Sequence, residues 1–201
     1  MAVFFTSDTH FGDHRVLNLY PRPFASVAEM DAGMIERWNA VVGPDDDVWH
    51  LGDFARSARL AAEILPRLNG RKHLVVGNND PPAVAALPGW ASASHYAELD
   101  VDGTGAVLCH YAFRTWRDSG RGWVNLHGHS HGRLRPVLPR QADVGVDVHD
   151  FRPVTLEQAF GARWRRGKVK TLTAPRRDGL HSPRRRPSRA FHTGSKKGAG
   201  K

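Results

Sequence analysis

Five apolar runs in this chain each end on a small group of polar, ligand-type residues, and no other feature limits the fold as much. AVFFTS runs into Asp8-Thr9-His10, DVWHL into Gly52-Asp53, and KHLVV into Gly77-Asn78-Asn79-Asp80. AVLC runs into His110, and WVNL into His127-Gly128-His129-Ser130-His131. Short apolar runs bounded by turn residues read as buried strands. Strands that all deliver Asp, His or Asn at their C-terminal ends predict one sheet edge carrying a site, as in open α/β sheets.

Helical signals separate the early strands. Ser26 with Glu29 three residues on forms a capping-box pattern ahead of Val27, Met30, Met34, Ile35, Trp38 and Val41 at helical spacing. SARLAAEILPRLNG predicts a second helix, interrupted at Pro66 and closed by Asn69-Gly70. Later segments are mostly strands: a hairpin about Asp102-Gly103, the run into His127, and ADVGVDV, with TLEQAF opening a last short helix. The order predicts an α/β or α+β sandwich.

Carboxylate and imidazole donors suit divalent ions such as Mn²⁺, Fe²⁺ or Zn²⁺. Delivered together to one edge, Asp8, His10, Asp53, Asn78, His110, His129 and His131 are what a two-metal site requires. Asp53, alone on its strand end, is the natural bridge, since one carboxylate can bind two cations.

The motifs DTH (8–10), GD (52–53), GNND (77–80), His110 and GHSH (128–131) resemble the five ordered motifs of the calcineurin-like metallophosphoesterases, over residues 2–158. The flanking text is similar to the small stand-alone bacterial members. The resemblance implies a four-layer αββα sandwich around two mixed sheets, and hydrolysis of phosphomonoesters or phosphodiesters by a hydroxide bound at a dinuclear centre. It places Asp8, His10, Asp53 and His131 on one metal and Asp53, Asn78, His110 and His129 on the other, with Mn²⁺ expected and Fe²⁺, Ni²⁺ or Zn²⁺ as alternatives. One position departs from the pattern. The family has His in the third place of the GNH[DE] motif, where it contacts phosphate and helps protonate the leaving group; here that place is Asn79. An amide can donate a hydrogen bond to phosphate but no proton. Asn79 and Asp80 are the expected catalytic pair, with Asp80 placed to orient an imidazole at position 79. His14 and His95 are the candidates for replacement proton donors. A nuclease, a cyclic-nucleotide phosphodiesterase and a non-catalytic metal-binding scaffold are the alternative readings.

Several residues have plainer readings. His127 is expected to support the site from outside the ligand set, and His50 to be a core histidine. Cys109, the one cysteine, is expected to pack; no disulfide can form within the chain, which fits a reducing cytosol. The start of the chain shows no signal-peptide pattern and no run is apolar enough for a membrane helix, so a cytoplasmic protein is expected. Charge divides the chain at about residue 160. Residues 161–201 hold 14 Lys/Arg and one acid, against 15 basic and 19 acidic residues before them. The expected division is therefore a mildly acidic 1–160 domain and a disordered basic tail able to contact nucleic acid non-specifically.

Overall fold

The computed structural model describes residues 1–161. The expectations for the basic tail lie, apart from Gly161, outside the described residues. In chain order the elements are β1 (Val3–Thr6), α1 (Arg15–Leu19), α2 (Val27–Val41), β2 (Asp47–His50), α3 (Ala58–Ile64), β3 (Arg71–Val75) and α4 (Pro82–Ala85). There follow β4 (Ser92–Ser94), β5 (Ala97–Val101), β6 (Thr104–Leu108), β7 (Val124–His127), β8 (Gln141–Asp143), β9 (Val154–Thr155) and α5 (Leu156–Phe160).

Two mixed sheets result. The first has the order β4-β3-β2-β1-β9, parallel except for the antiparallel pairing of β1 with β9. The second has the order β5-β6-β7-β8, with β5 antiparallel to β6 and the other pairs parallel. Alternation along β1 puts Phe4 into a core with the helices and Phe5 into a second core between the sheets. Met30, Met34 and Trp38 of α2 fill the first core, while Leu51, Val75, Leu108 and Leu126 fill the second. Each such side chain contributes ~1.5–3 kcal/mol by leaving water, so the two cores hold the sheet edge rigid.

The outward side chains Asn125 and Gln141 bind the segment 111–123: Phe113 N–H donates to Asn125 Oδ1 (3.1 Å), and Gln141 Nε2 donates to the Phe113 carbonyl (2.7 Å). Through these bonds the segment, which includes the short 3₁₀ turn Ser119–Arg121, is tied to the outer face of the second sheet. No helix among the described residues is long and apolar enough to cross a membrane.

Ser26 caps α2 by accepting from Glu29 N–H, as its spacing predicts; Glu29 itself reaches back to Ala25 N–H instead of the cap. α3 gives way at Leu65–Arg67 to a 3₁₀ turn containing Pro66. The ADVGVDV segment is strand only at its start. Val146–Val148 form a 3₁₀ turn, where a continued strand was expected. The elements α1, α4, β4 and β9 have no counterpart in the sequence reading.

Asp31 of α2 accepts the Gly12 N–H with both oxygens (3.1 Å each) and so pins the loop beyond His10. Burial pushes its carboxyl up to about 6. Between the ordinary aspartate value of ~3.9 and that point, the native protein keeps a proton that the unfolded chain has lost. Stability therefore falls as pH rises through this window. Asparagine keeps an acceptor for Gly12 and carries no charge. Asp31→Asn should leave stability nearly unchanged at pH 4.5 and raise it at pH 7.5. After allowance for the partial exposure of the group, the gain is ~1 kcal/mol, or roughly 2–4 °C in Tm. Thermal unfolding at the two pH values checks this, and an equal or opposite effect at pH 7.5 contradicts it.

Candidate metal centre

The strand ends meet where the sequence pattern places them. The chain after β1 is zipped to the chain after β2 by backbone bonds from Asp8 N to Gly52 O (3.0 Å), His10 N to Asp53 O (2.9 Å) and Phe11 N to Phe54 O (2.9 Å). Gly128 approaches so closely that a Cβ there would overlap the Ser7 hydroxyl and the Asp8 carboxylate. Gly52, at φ +94°, faces Gly77 and His110 just as tightly. Asp8, His10, Asp53, His129 and His131 all have positive φ, half of the ten non-glycine residues that do so among the described residues. Such backbone costs ~1–3 kcal/mol per residue and concentrates at sites that need a fixed geometry.

The donor atoms of Asp8, His10 and His131 lie within 4.8 Å of one another, as do those of Asp8, Asp53 and His110. Asp53 spans both groups, with His10 Nε2 3.5 Å from one oxygen and His110 Nε2 3.6 Å from the other. Asp8, expected on one side only, belongs to both groups. His129 is exposed on the cavity wall, its N–H donating to Asp8 (2.9 Å) and its ring against His110 and Tyr111.

The imidazoles turn their Nε2 atoms inward. His110 Nδ1 lies 2.7 Å from the Leu51 carbonyl, which can only accept, so Nδ1 carries a hydrogen and Nε2 is the nitrogen turned to the cluster. Nε2 meets the Asn78 side-chain amide at 2.9 Å. His131 Nδ1 lies 2.7 Å from Asp147 Oδ2, which likewise fixes the hydrogen on Nδ1 and leaves Nε2 toward Asp8 at 3.8 Å. His10 Nε2 is buried with no hydrogen-bond partner among the described residues, and burial pushes this histidine down to about 4, so it is neutral at pH 7. Burial first, then the nearby carboxylates of Asp53 and Asp143, push Asp8 well above the usual range. A buried unpartnered nitrogen and crowded carboxylates are each relieved by a cation, and a histidine hydrogen-bonded through its other nitrogen is the usual metal ligand. The residues fit divalent metal.

The supporting shell was mostly absent from the sequence reading. Arg22, whose side chain is fully buried, makes a two-pronged pair with Asp147 (2.9 and 2.8 Å) and donates to the carbonyls of Asp8 (2.7 Å) and Thr9 (3.0 Å). Burial alone would raise the Asp147 carboxyl, but the bonds from His131 and Arg22 outweigh it and hold Asp147 below the usual range. Tyr20 stacks on His131 at 3.7 Å, and Arg133 lies over Tyr20. Asp143 fixes the histidine loop through Ser130 Oγ and Gly132 N (2.8 Å each).

Asp80 requires a correction. Its carboxylate does not turn toward position 79. It accepts the backbone N–H groups of Asp53, Phe54 and Gly77, each at 2.8 Å, and thereby locks the second strand end to the third. Asn79 donates its backbone N–H and its side-chain amide to the two oxygens of Asp53 (2.8 and 2.7 Å), so it holds the expected bridge. His14 and His95 are exposed and do not line the cavity over the cluster. His127 is buried outside the ligand groups, with Nδ1 against the Gly128 carbonyl (2.9 Å). His50 is a buried core histidine, pushed down to about 3 by burial, that meets the Thr9 hydroxyl at 3.0 Å.

No protein-family model matches the chain. It is 31% identical over 185 residues to the Gene 66 protein of Mycobacterium phage D29, covering 76% of this chain and 92% of that protein. It is 29% identical over 164 residues to the uncharacterized protein MJ1445 of Methanocaldococcus jannaschii, covering 77% and 87%. The solved structure of AQ665 from Aquifex aeolicus, a protein of unknown function, has the same fold. Its TM-score is 0.63 at 24% identity, over 78% of this chain and 96% of that one.

Proposed function

The chain belongs to the family of the mycobacteriophage gene 66 proteins and carries on its strand ends motifs that resemble, except at Asn79, those of the calcineurin-like metallophosphoesterases; we propose that it is a metal-dependent hydrolase of phosphoric esters. One observation carries the reading above the others. Three imidazoles bring Nε2 atoms to two adjacent carboxylates, two of them with Nδ1 committed elsewhere and the third with a buried, unpartnered Nε2.

In this reading Asp8, His10, Asp53 and His131 hold one ion, and Asp53, Asn78, His110 and His129 hold the second. The mixed nitrogen and oxygen donors suit Mn²⁺, with Fe²⁺, Ni²⁺ or Zn²⁺ as alternatives. Such ions supply Lewis acidity at a phosphoryl oxygen and lower the pKa of water. The chain's own residues fix the donors: Asp147 orients His131, the Leu51 carbonyl orients His110, and Asn79 steadies Asp53. None of these supplies a proton to a departing alkoxide.

The missing proton donor defines a test. General-acid help matters most for strongly basic leaving groups and little for nitrophenolate. The wild-type protein, loaded with Mn²⁺, should hydrolyse p-nitrophenyl phosphate or its diester well and alkyl esters poorly. Asn79→His should recover the alkyl esters selectively. The gain should sit near the lower end of the ~10²–10⁴-fold range of a positioned acid, because Asp80 is committed to backbone N–H groups and cannot orient the new ring. Rate plotted against leaving-group pKa for both proteins decides the matter. A wild-type slope as shallow as that of Asn79→His would show that another residue already supplies the proton. No metal-dependent hydrolysis of any ester would overturn the esterase reading.

A further inference from the structure

The cavity over the candidate centre has two compartments. The larger, of about 240 Å³, opens against Val16, Leu19 and Tyr20. The smaller, of about 50 Å³, adjoins it at His10, Asp53 and Asn79 and is walled by Arg15, Arg56 and Ala55. The smaller space is a compact, polar-walled recess beside the larger one.

Its charge is specific. Asp13, with a nearly buried side chain, accepts from Arg15 Nε (2.9 Å) and Nη2 (2.5 Å) and from Arg56 Nη1 (3.4 Å). One carboxylate between two guanidiniums leaves one positive charge in excess, the second lining carboxylate, Asp53, being the one assigned to metal. Among the described residues Arg15 Nη1, and Nε and Nη2 of Arg56, have no partner, and the two arginine side chains are about half exposed (58% and 50%). The backbones are fixed as well: Arg56 N–H donates to the Phe11 carbonyl (3.0 Å) and Arg15 N–H to Asp13 (3.0 Å). Guanidiniums held in place with spare N–H groups match phosphate oxygens in charge and geometry.

We propose that the Arg15–Arg56 compartment is a subsite for a second, non-reacting phosphoryl group. The substrates are then organic diphosphates or closely spaced bisphosphates, with the organic part lying along Val16, Leu19 and Tyr20. The inference rests on the phosphoesterase reading for the scissile group alone.

Calorimetry on the Mn²⁺-loaded full chain, with methylphosphonate and methylenediphosphonate as probes, tests the subsite. The diphosphonate should bind at least ~30-fold more tightly than the monophosphonate. Arg15→Gln and Arg56→Gln should each cost about tenfold in diphosphonate affinity, the scale of one charge-assisted contact, and less than twofold for methylphosphonate. Metal extraction by the diphosphonate would be alike in all three proteins, so dependence on the arginines reads the subsite itself. Equal affinity for the two probes in the wild type overturns the proposal, as does a parallel loss of both probes in the variants. Hydrolysis of p-nitrophenyl phosphate, followed alongside, separates the two claims. Hydrolysis without arginine-dependent diphosphonate binding sinks the subsite and spares the esterase, and the converse result does the reverse.

Discussion

Asp53→Asn should lower the metal content to one ion or none and abolish nearly all hydrolysis. Asp53 faces His10 with one carboxylate oxygen and His110 with the other, at 3.5 and 3.6 Å, and is 2% exposed. An amide has the same shape but one acceptor atom and no charge, so at most one ion keeps a ligand at this position, and a weaker one. Ligand charge governs affinity, and the loss should exceed the ~10–100-fold that follows removal of an outer hydrogen-bond partner. The metal-free fold should survive, because the substitution relieves the repulsion that Asp53 exerts on buried Asp8. Metal analysis after equilibrium dialysis, activity, and thermal unfolding of the metal-free protein read the three expectations separately. Two ions retained at full activity would remove Asp53 from the bridge.

The largest effect on stability is expected at Arg22. Its guanidinium, fully buried, satisfies Asp147 and the carbonyls of Asp8 and Thr9, which belong to the left-handed turn that carries His10. Removing one partner of a buried pair leaves an uncompensated charge and costs ~3–5 kcal/mol, whereas replacing both by apolar groups can be nearly neutral. Arg22→Met should therefore lower Tm by on the order of 10 °C. The double variant Arg22→Met/Asp147→Leu should recover part of that loss, short of wild type because the Asp8 and Thr9 carbonyls stay unpaired. Asp147→Leu also frees His131 Nδ1, so metal affinity should stay low in the double variant even where stability returns. Additive losses in the double-mutant cycle would show that Arg22 and Asp147 do not act as a pair.

These two residues also mark where sequence reading ended. Asp8, His10, Asp53, Asn78, His110, His129 and His131 were legible because each lies within a few residues of an apolar strand, and strand ends in such sheets share an edge. Arg22 and Asp147 stand 125 residues apart, and only the folded chain joins them. Asp147 lies in a run whose apolar alternation resembles a strand, yet a 3₁₀ turn places its carboxylate 2.7 Å from His131. Asp80 was misjudged by adjacency. Sitting next to Asn79 suggested a partner for that side chain, but the turn sends the carboxylate back to three backbone N–H groups. Helices of four or five residues, such as α1 and α4, are too short for a periodic signal, and β4 is a three-residue edge strand with two exposed side chains.

The central claim is that two divalent ions share this strand edge. Asp53 would hold both ions as a shared ligand, and two Mn²⁺ ions sharing a carboxylate would couple magnetically. The direct measurement is titration of the metal-free protein with Mn²⁺, with binding stoichiometry and electron paramagnetic resonance followed on the same samples. The account predicts saturation at two ions per chain and a spin-coupled signal that Asp53→Asn abolishes. One ion or none at saturation, or two ions giving only isolated-ion spectra, would contradict it.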